Sequence, residues 1–144
     1  MEHTKTILVP IDFQEASTQA LAKARELGKQ LDLAVVLVHT FSIPVVVYPG
    51  FDPILTPGLS DEIANAAKKA LERLAEANGG LQTMLRSGDA ATEILAAAEE
   101  LRPTMVVMGT HGRKGLSHLL LGSVAETVIR SSKVPVLTVR APGS

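Results

Sequence analysis

Length, composition and charge are those of an ordinary globular protein. The chain has 144 residues, 46% of them apolar and 20% charged, so one domain is predicted over residues 1–144, and no apolar run approaches the roughly 18 residues that cross a bilayer. A net charge of −1 and 3% aromatic residues argue against a nucleic-acid partner, and the absence of cysteine excludes disulfides, thiolate metal sites and a catalytic thiol.

The N-terminal residues lead directly into a predicted strand at residues 5–11. They lack a charged-then-apolar leader, so we expect a cytoplasmic protein. The run of branched apolar residues is typical of a strand covered on both faces, and Pro10 indicates where regular pairing ends. Asp12 follows at the carboxyl end of this strand, where open α/β sheets bind ligands. A solvated loop aspartate or a helix cap is the alternative for Asp12.

Residues 16–31 show helical periodicity, with Gly28 weakening the helix end, and a second apolar strand covers residues 33–40. His39, near its end, has no carboxylate or second histidine at metal-ligand spacing, which favours a structural histidine. Residues 41–59 contain four of the chain's eight prolines and a single charged residue, Asp52. This pattern indicates an extended flap beside a ligand or across a dimer contact, and a passive linker is the alternative.

The second half of the chain repeats the alternation of helix and strand. Helical periodicity covers residues 60–77, a strand covers 81–86, and a helix begins at Gly88-Asp89 and stops at Arg102-Pro103. Further strands are predicted at 104–108 and 134–140, with Val124, Val128 and Ile129 forming the inward stripe of the helix between them. Strands separated by helices predict right-handed parallel crossovers, and hence a doubly wound sheet.

A glycine-rich loop follows the strand at 104–108. It contains Gly109, Gly112 and Gly115, with Arg113 and Lys114 between the last two, and a helix begins near Gly122-Ser123. Glycines permit backbone angles closed to other residues and let a ligand approach the main chain, and amides of a loop and helix start attract anions. Arg113 and Lys114 add two cations that suit phosphate. The alternative for Ser123 is a capping box with Glu126, and the two roles do not exclude each other.

The spacing Gly109-x-x-Gly112, nine residues, then Gly122-Ser123 resembles the signature of the ATP-binding branch of the universal stress protein family. The resemblance extends to residues 7–12, 88–95 and 134–139. It implies a Rossmann-like five-stranded parallel sheet of order 3-2-1-4-5 with helices on both faces, and a homodimer through Val136–Val139. It also implies nucleotide contacts from Pro10, Asp12, the Thr40 main chain, Gly109, His111, Gly112, Arg113, Gly122, Ser123 and Val124.

Enzymatic signatures are weak in this loop. It lacks the Gly-Lys-Ser/Thr ending of a Walker motif, the first strand lacks a dinucleotide fingerprint, and no loop carboxylate is placed to orient His111 as a base. We therefore predict an ATP-binding regulatory protein of a stress response, which acts as a nucleotide-dependent switch with little or no hydrolysis. ATP binds with or without magnesium in this prediction, and no residue is catalytic. One alternative is a slow ATPase or nucleotidyl transferase that uses Asp12 with a magnesium ion and His111 or Arg113. Another is a nucleotide-free dimeric scaffold.

Overall fold

Strands and helices alternate along the chain. The computed structural model describes residues 2–53, 58–110 and 121–141. Within these ranges the elements are β1 (Thr6–Pro10), α1 (Glu15–Leu31), β2 (Ala34–Phe41), α2 (Leu59–Ala77), β3 (Gln82–Ser87), α3 (Ala90–Leu101), β4 (Met105–Gly109), α4 (Ser123–Ser131) and β5 (Val136–Val139). The predicted alternation is confirmed, with bounds that shift by one or two residues.

The strands form one parallel sheet in the order β3-β2-β1-β4-β5. The doubly wound arrangement that the resemblance implied is therefore confirmed. Pro10 at the end of β1 pairs with Val38 of β2, and Gly109 at the end of β4 pairs with Val139 of β5. The carboxyl ends of these strands thus lie side by side at one end of the sheet. Because the winding reverses between β1 and β4, the chain leaves these two strands toward opposite faces and opens a crevice there.

Side chains of the central strands alternate between two apolar cores, as strand geometry requires. Ile7 and Val9 of β1 pack with α1 and α2 on one face, whereas Leu8 of β1 and Val38 of β2 pack with α3 and α4 on the other. All four side chains are fully buried. Burial on both faces explains why these strands are continuous apolar runs rather than alternating ones.

The start of α4 differs from the prediction. The N-cap is Gly122, which has no side chain with which to cap the helix, so the predicted capping box between Ser123 and Glu126 is wrong. Ser123 is instead the first helical residue, because the Gly122 amide donates to the Thr110 carbonyl oxygen at 2.7 Å and fixes the chain entry at Gly122. The Glu126 carboxylate pairs with Arg130, one turn further along, at 2.7 Å.

Two details of helix packing also correct the sequence analysis. Ile129 is 43% exposed, whereas Val128 is fully buried and Val124 packs against the same core, so Ile129 lies outside the inward stripe of α4. Gly28 is a packing residue: a Cβ there would lie 2.6 Å from the Leu33 carbonyl oxygen, so the close return of the chain after α1 requires glycine. Asp32, with φ of 56°, then ends the helix in the left-handed region.

The segment between β2 and α2 is exposed where the structure describes it, at residues 42–53. Val47 is 65% exposed and Phe51 74% exposed. A turn closed by the Phe51 amide and the Tyr48 carbonyl oxygen interrupts the segment. The flap and linker hypotheses for this segment both stay predictions. None of the helices in the described ranges is long and apolar enough to cross a bilayer.

Candidate functional site

A cavity of about 640 Å³ opens at the carboxyl ends of the strands, between β1 and β4. It is lined by Pro10, Ile11, Asp12, Gln14, Ser17, Val38, Thr40, Ala90, Ile94, Met108, Gly109, Thr110, Gly122, Ser123, Val124 and Ala125. Every predicted site residue that the structure describes is in this set. His111, Gly112 and Arg113 lie outside the described residues. The fold therefore brings together motifs that are almost a hundred residues apart in the chain.

Asp12 is placed by a tight turn between β1 and α1. The Ile11 amide still donates to the Val38 carbonyl oxygen at 2.8 Å, so β1 is held to β2 up to this point. The Asp12 amide then donates to Ser17 Oγ at 3.3 Å, and the Gln14 amide donates to Asp12 Oδ1 at 2.9 Å. One carboxylate oxygen of Asp12 thus stabilises the turn before α1, and Asp12 itself is exposed and lines the cavity. The N-cap of α1 is Gln14, so the helix-cap alternative for Asp12 is wrong, whereas the ligand hypothesis stays a prediction.

The N-terminus of α4 presents three backbone amides on the opposite wall. The Gly122 amide is engaged by the Thr110 carbonyl oxygen, and the first helical hydrogen bond runs from the Glu126 amide to the Gly122 carbonyl oxygen at 2.9 Å. The amides of Ser123, Val124 and Ala125 have no acceptor in the part of the chain that the structure describes. Such orphan donors at a helix start, reinforced by the helix dipole, form a binding surface for an anion.

The two described glycines of the loop motif have different roles from those expected. A Cβ at Gly109 would lie 2.7 Å from both the carbonyl carbon and the Cβ of Ala16, so this glycine lets β4 pack closely against α1. Gly122 has φ of −64° and ψ of 152°, which any residue adopts. The expectation of backbone angles closed to other residues is wrong at Gly122. At Gly109, contact with α1 is sufficient to require glycine.

The wall between Asp12 and α4 is mainly apolar and belongs to the α3 and α4 face of the sheet. Val38 and Met108 point into it from the strands, Ile94 comes from α3, and Thr40 lies at the open end of β2. Ala90 brings the first turn of α3 to the rim. An apolar wall of this kind suits the flat face of a base or another apolar group.

His39 lies on the other face of the sheet, as strand alternation requires of a residue beside Thr40. Its Nδ1 is 2.7 Å from the Ile11 carbonyl oxygen, and its ring meets the Phe13 ring edge-on, with centroids 4.7 Å apart. These contacts agree with the structural histidine that the sequence analysis favoured. His39 is not among the residues that line the cavity.

Several cavity residues were missed by the sequence analysis. These are Ile11, Gln14, Ser17, Val38, Ala90, Ile94, Met108, Thr110 and Ala125. Part of this set had a usable signal, because Val38 precedes Thr40 by two positions on β2 and must point to the same face. Gln14 and Ser17 carried none, because only the turn geometry at Asp12 brings the first turn of α1 to the cavity.

The described residues place few charges around the cavity. Among the lining residues that the structure describes, Asp12 carries the one charged side chain. Asp89, next to Ala90 at the rim, has its carboxyl pKa lowered because the Thr92 hydroxyl and then the Thr92 amide donate to it, at 2.8 and 3.0 Å. No cluster of three metal-ligating side chains occurs within residues 2–53, 58–110 and 121–141.

Fold and cavity together define an open, doubly wound α/β protein with a crevice at the reversal of strand order and a helix N-terminus on one wall of that crevice. The family model of the universal stress proteins matches residues 3–140. The chain belongs to the universal stress protein family.

Individual relatives agree with this assignment. A universal stress protein of Methanocaldococcus jannaschii is 34% identical over 141 residues, which is 96% of this chain and 83% of the relative. The universal stress protein YxiE of Bacillus subtilis is 33% identical, with 93% of this chain and 97% of the relative covered. The solved structure of UspA from Lactobacillus plantarum covers 97% of this chain and 100% of its own, with a TM-score of 0.76. At 21% identity, that similarity concerns the fold alone.

Proposed function

We propose that this protein binds ATP in the cavity between β1 and β4 and acts as a nucleotide-dependent regulatory switch in a stress response. The observation that carries the proposal is a set of three amides on the wall of the cavity, those of Ser123, Val124 and Ala125, which have no acceptor among the described residues. The cavity of about 640 Å³ has the size of a small-molecule site. The spacing of Gly109, Gly112 and Gly122-Ser123, which resembles the ATP-binding branch of the family, supports the same ligand.

The polarity of the walls supports one orientation of the nucleotide. Phosphates are attracted to the amides of α4 and repelled by the Asp12 carboxylate, so the anionic end belongs at α4. The hydroxyl groups of a ribose suit Asp12, because the carboxylate accepts hydrogen bonds. The base then meets the apolar wall formed by Val38 and Ile94, near the main chain of Thr40.

We propose binding with little or no hydrolysis. Fast phosphoryl transfer needs a positioned base, metal ions and a cation that stabilises the transition state. The cavity wall offers one carboxylate and no histidine, lysine or arginine within the described ranges. A magnesium ion that entered with the phosphates would be held by their oxygens and by water, near α4 and away from Asp12. Its role here would be to neutralise charge on the bound nucleotide.

We further propose a homodimer that pairs β5 with its symmetry mate. β5 ends the sheet and pairs with β4 on one side only, among the strands that the structure describes. Leu137 on this strand is 39% exposed. Apolar edge strands of this kind recruit partners unless they are blocked.

The test of nucleotide binding has two parts. Denaturing the freshly purified protein and identifying any released nucleotide by chromatography shows what it carries from the cell. Differential scanning fluorimetry with ATP, ADP and AMP, with and without magnesium, then shows which nucleotide stabilises it. At 100 times its dissociation constant, ATP stabilises the native state by about 2.7 kcal/mol. A protein that carries no nucleotide and whose melting temperature does not respond to any of the three contradicts the proposal and leaves the scaffold alternative.

A further inference from the structure

The turn between β1 and α1 contains an unusual backbone conformation at Phe13. This residue has φ of 63°, in the left-handed region that bulky side chains rarely adopt. Asp32 and Arg102 are the other positive-φ residues besides glycine in the described ranges, and both are C-caps, where this conformation is a normal helix ending. Phe13 precedes a helix instead. Such a conformation persists only where surrounding contacts determine it, and it concentrates at functional sites.

The contacts that hold Phe13 come from His39. The Phe13 and His39 rings meet edge-on, with centroids 4.7 Å apart and planes inclined at 60°. His39 Nδ1 also lies 2.7 Å from the Ile11 carbonyl oxygen. Because a carbonyl oxygen only accepts, Nδ1 is the protonated nitrogen and donates this bond. His39 therefore holds the turn at two points, one residue before Asp12 and one residue after it.

His39 does this from the face of the sheet that is opposite to the cavity. It shares its side of β2 with Leu37, which packs in the core under α1 and α2, whereas Thr40 lines the cavity. Asp12, which lies in this turn, lines the cavity, and its Oδ1 accepts a hydrogen bond from the Gln14 amide. The direction of the Asp12 side chain thus depends on contacts made behind the sheet.

We propose that His39 and Phe13 form a clamp that positions Asp12 for the bound nucleotide. Neither residue is assigned a contact with the ligand; both are positioning residues. This inference rests on the proposed function, because it takes Asp12 as a group that contacts the nucleotide. In physical terms, the clamp holds the turn in its unusual conformation before binding, so that binding does not have to order it.

The test replaces Phe13 with asparagine, which removes the ring and adopts the left-handed region more readily than other residues. We expect Phe13→Asn to weaken ATP binding about tenfold or more, the effect of misplacing one hydrogen bond to a charged group. The melting temperature of the ligand-free protein should stay near that of the wild type, because relief of the backbone conformation offsets the lost ring contact. A merely structural role predicts the reverse, a lower melting temperature with unchanged affinity.

The matched control is Arg102→Asn. It places asparagine at another positive-φ residue, with φ of 53°. Arg102 lies between α3 and β4, at the amino ends of the strands and therefore far from the cavity. We expect ATP affinity to be unchanged. A second variant, His39→Asn, keeps an N–H donor near the position of Nδ1 and removes the ring, and it should weaken binding as Phe13→Asn does. The double variant, with both substitutions, should bind ATP with the same affinity as either single variant, because the two residues act as a unit.

Amide hydrogen exchange in the ligand-free protein gives a measurement that does not depend on ATP. The Asp12 and Gln14 amides, bonded to Ser17 Oγ and Asp12 Oδ1, should exchange faster in Phe13→Asn and at the wild-type rate in Arg102→Asn. If the wild type binds ATP and Phe13→Asn binds it equally well, or if exchange at these amides does not change, the clamp is wrong and the proposed function stands. A wild type that binds no nucleotide overturns both.

Discussion

Gly109→Ala separates the packing role of the loop glycines from their proposed binding role. The new Cβ would lie 2.7 Å from the carbonyl carbon and Cβ of Ala16 and 2.9 Å from its carbonyl oxygen, so β4 and α1 must move apart. Overpacking of this kind lowers the free energy of unfolding by about 1–3 kcal/mol, and the reduced conformational freedom of the unfolded chain offsets about 0.4–1 kcal/mol of this loss. We expect a net loss of roughly 1–2 kcal/mol, or a melting temperature lower by about 3–8 °C.

Gly122→Ala is the matched variant, because its φ of −64° and ψ of 152° accept a side chain. Its ligand-free stability should equal or slightly exceed that of the wild type, whereas the stabilisation by ATP should be reduced or lost. Urea denaturation and scanning fluorimetry, each with and without ATP, measure both quantities. Ala16→Gly should rescue Gly109→Ala only in part, since it removes the Cβ contact but leaves the two backbone contacts. Wild-type stability for Gly109→Ala would refute the packing argument.

Three other expected outcomes follow from the structure. Ser123→Ala should leave the melting temperature of the ligand-free protein unchanged, because no side chain caps α4; a loss of about 1 kcal/mol would indicate a cap after all. Asp89 is the N-cap of α3, where its carboxylate accepts from the Thr92 amide. Because the folded-state pKa of Asp89 is lowered, the stability that this carboxylate contributes is complete above its unfolded pKa of about 3.9 and is lost as pH falls through the folded-state pKa. Asp89→Asn should keep the cap but lose this pH dependence in acid titrations followed by circular dichroism. Val136→Asp should weaken the dimer, and light scattering at micromolar concentration that finds the wild type monomeric would contradict the β5 interface.

The order of the elements was readable from the sequence because buried parallel strands require continuous apolar runs, and their helices require three- and four-residue steps. The edge at which Asp12 and the loop meet followed from the topology that the resemblance implied. The role of Gly109 could not be predicted, since it depends on Ala16, which is distant in the chain. A glycine beside a ligand and a glycine beside a helix look the same in one sequence.

The start of α4 shows the same limit at shorter range. A serine followed three residues later by a glutamate suits a capping box, but the backbone bond from Gly122 to Thr110 decides where the helix begins. For the same reason, Ala125 gave no signal as a cavity residue. An alanine contributes to this site only through its amide, whose availability depends on the position of the first helical hydrogen bond.

The hydrogen bond between the Gly122 amide and the Thr110 carbonyl oxygen ties together the two ends of the intervening chain at 2.7 Å. This contact holds the start of α4 beside the carboxyl end of β4. The Thr110 amide in turn donates to the Val139 carbonyl oxygen at 3.0 Å. One residue therefore couples the first turn of α4, on the wall of the cavity, to the last strand of the sheet, so that a change in β5 would be transmitted to the cavity.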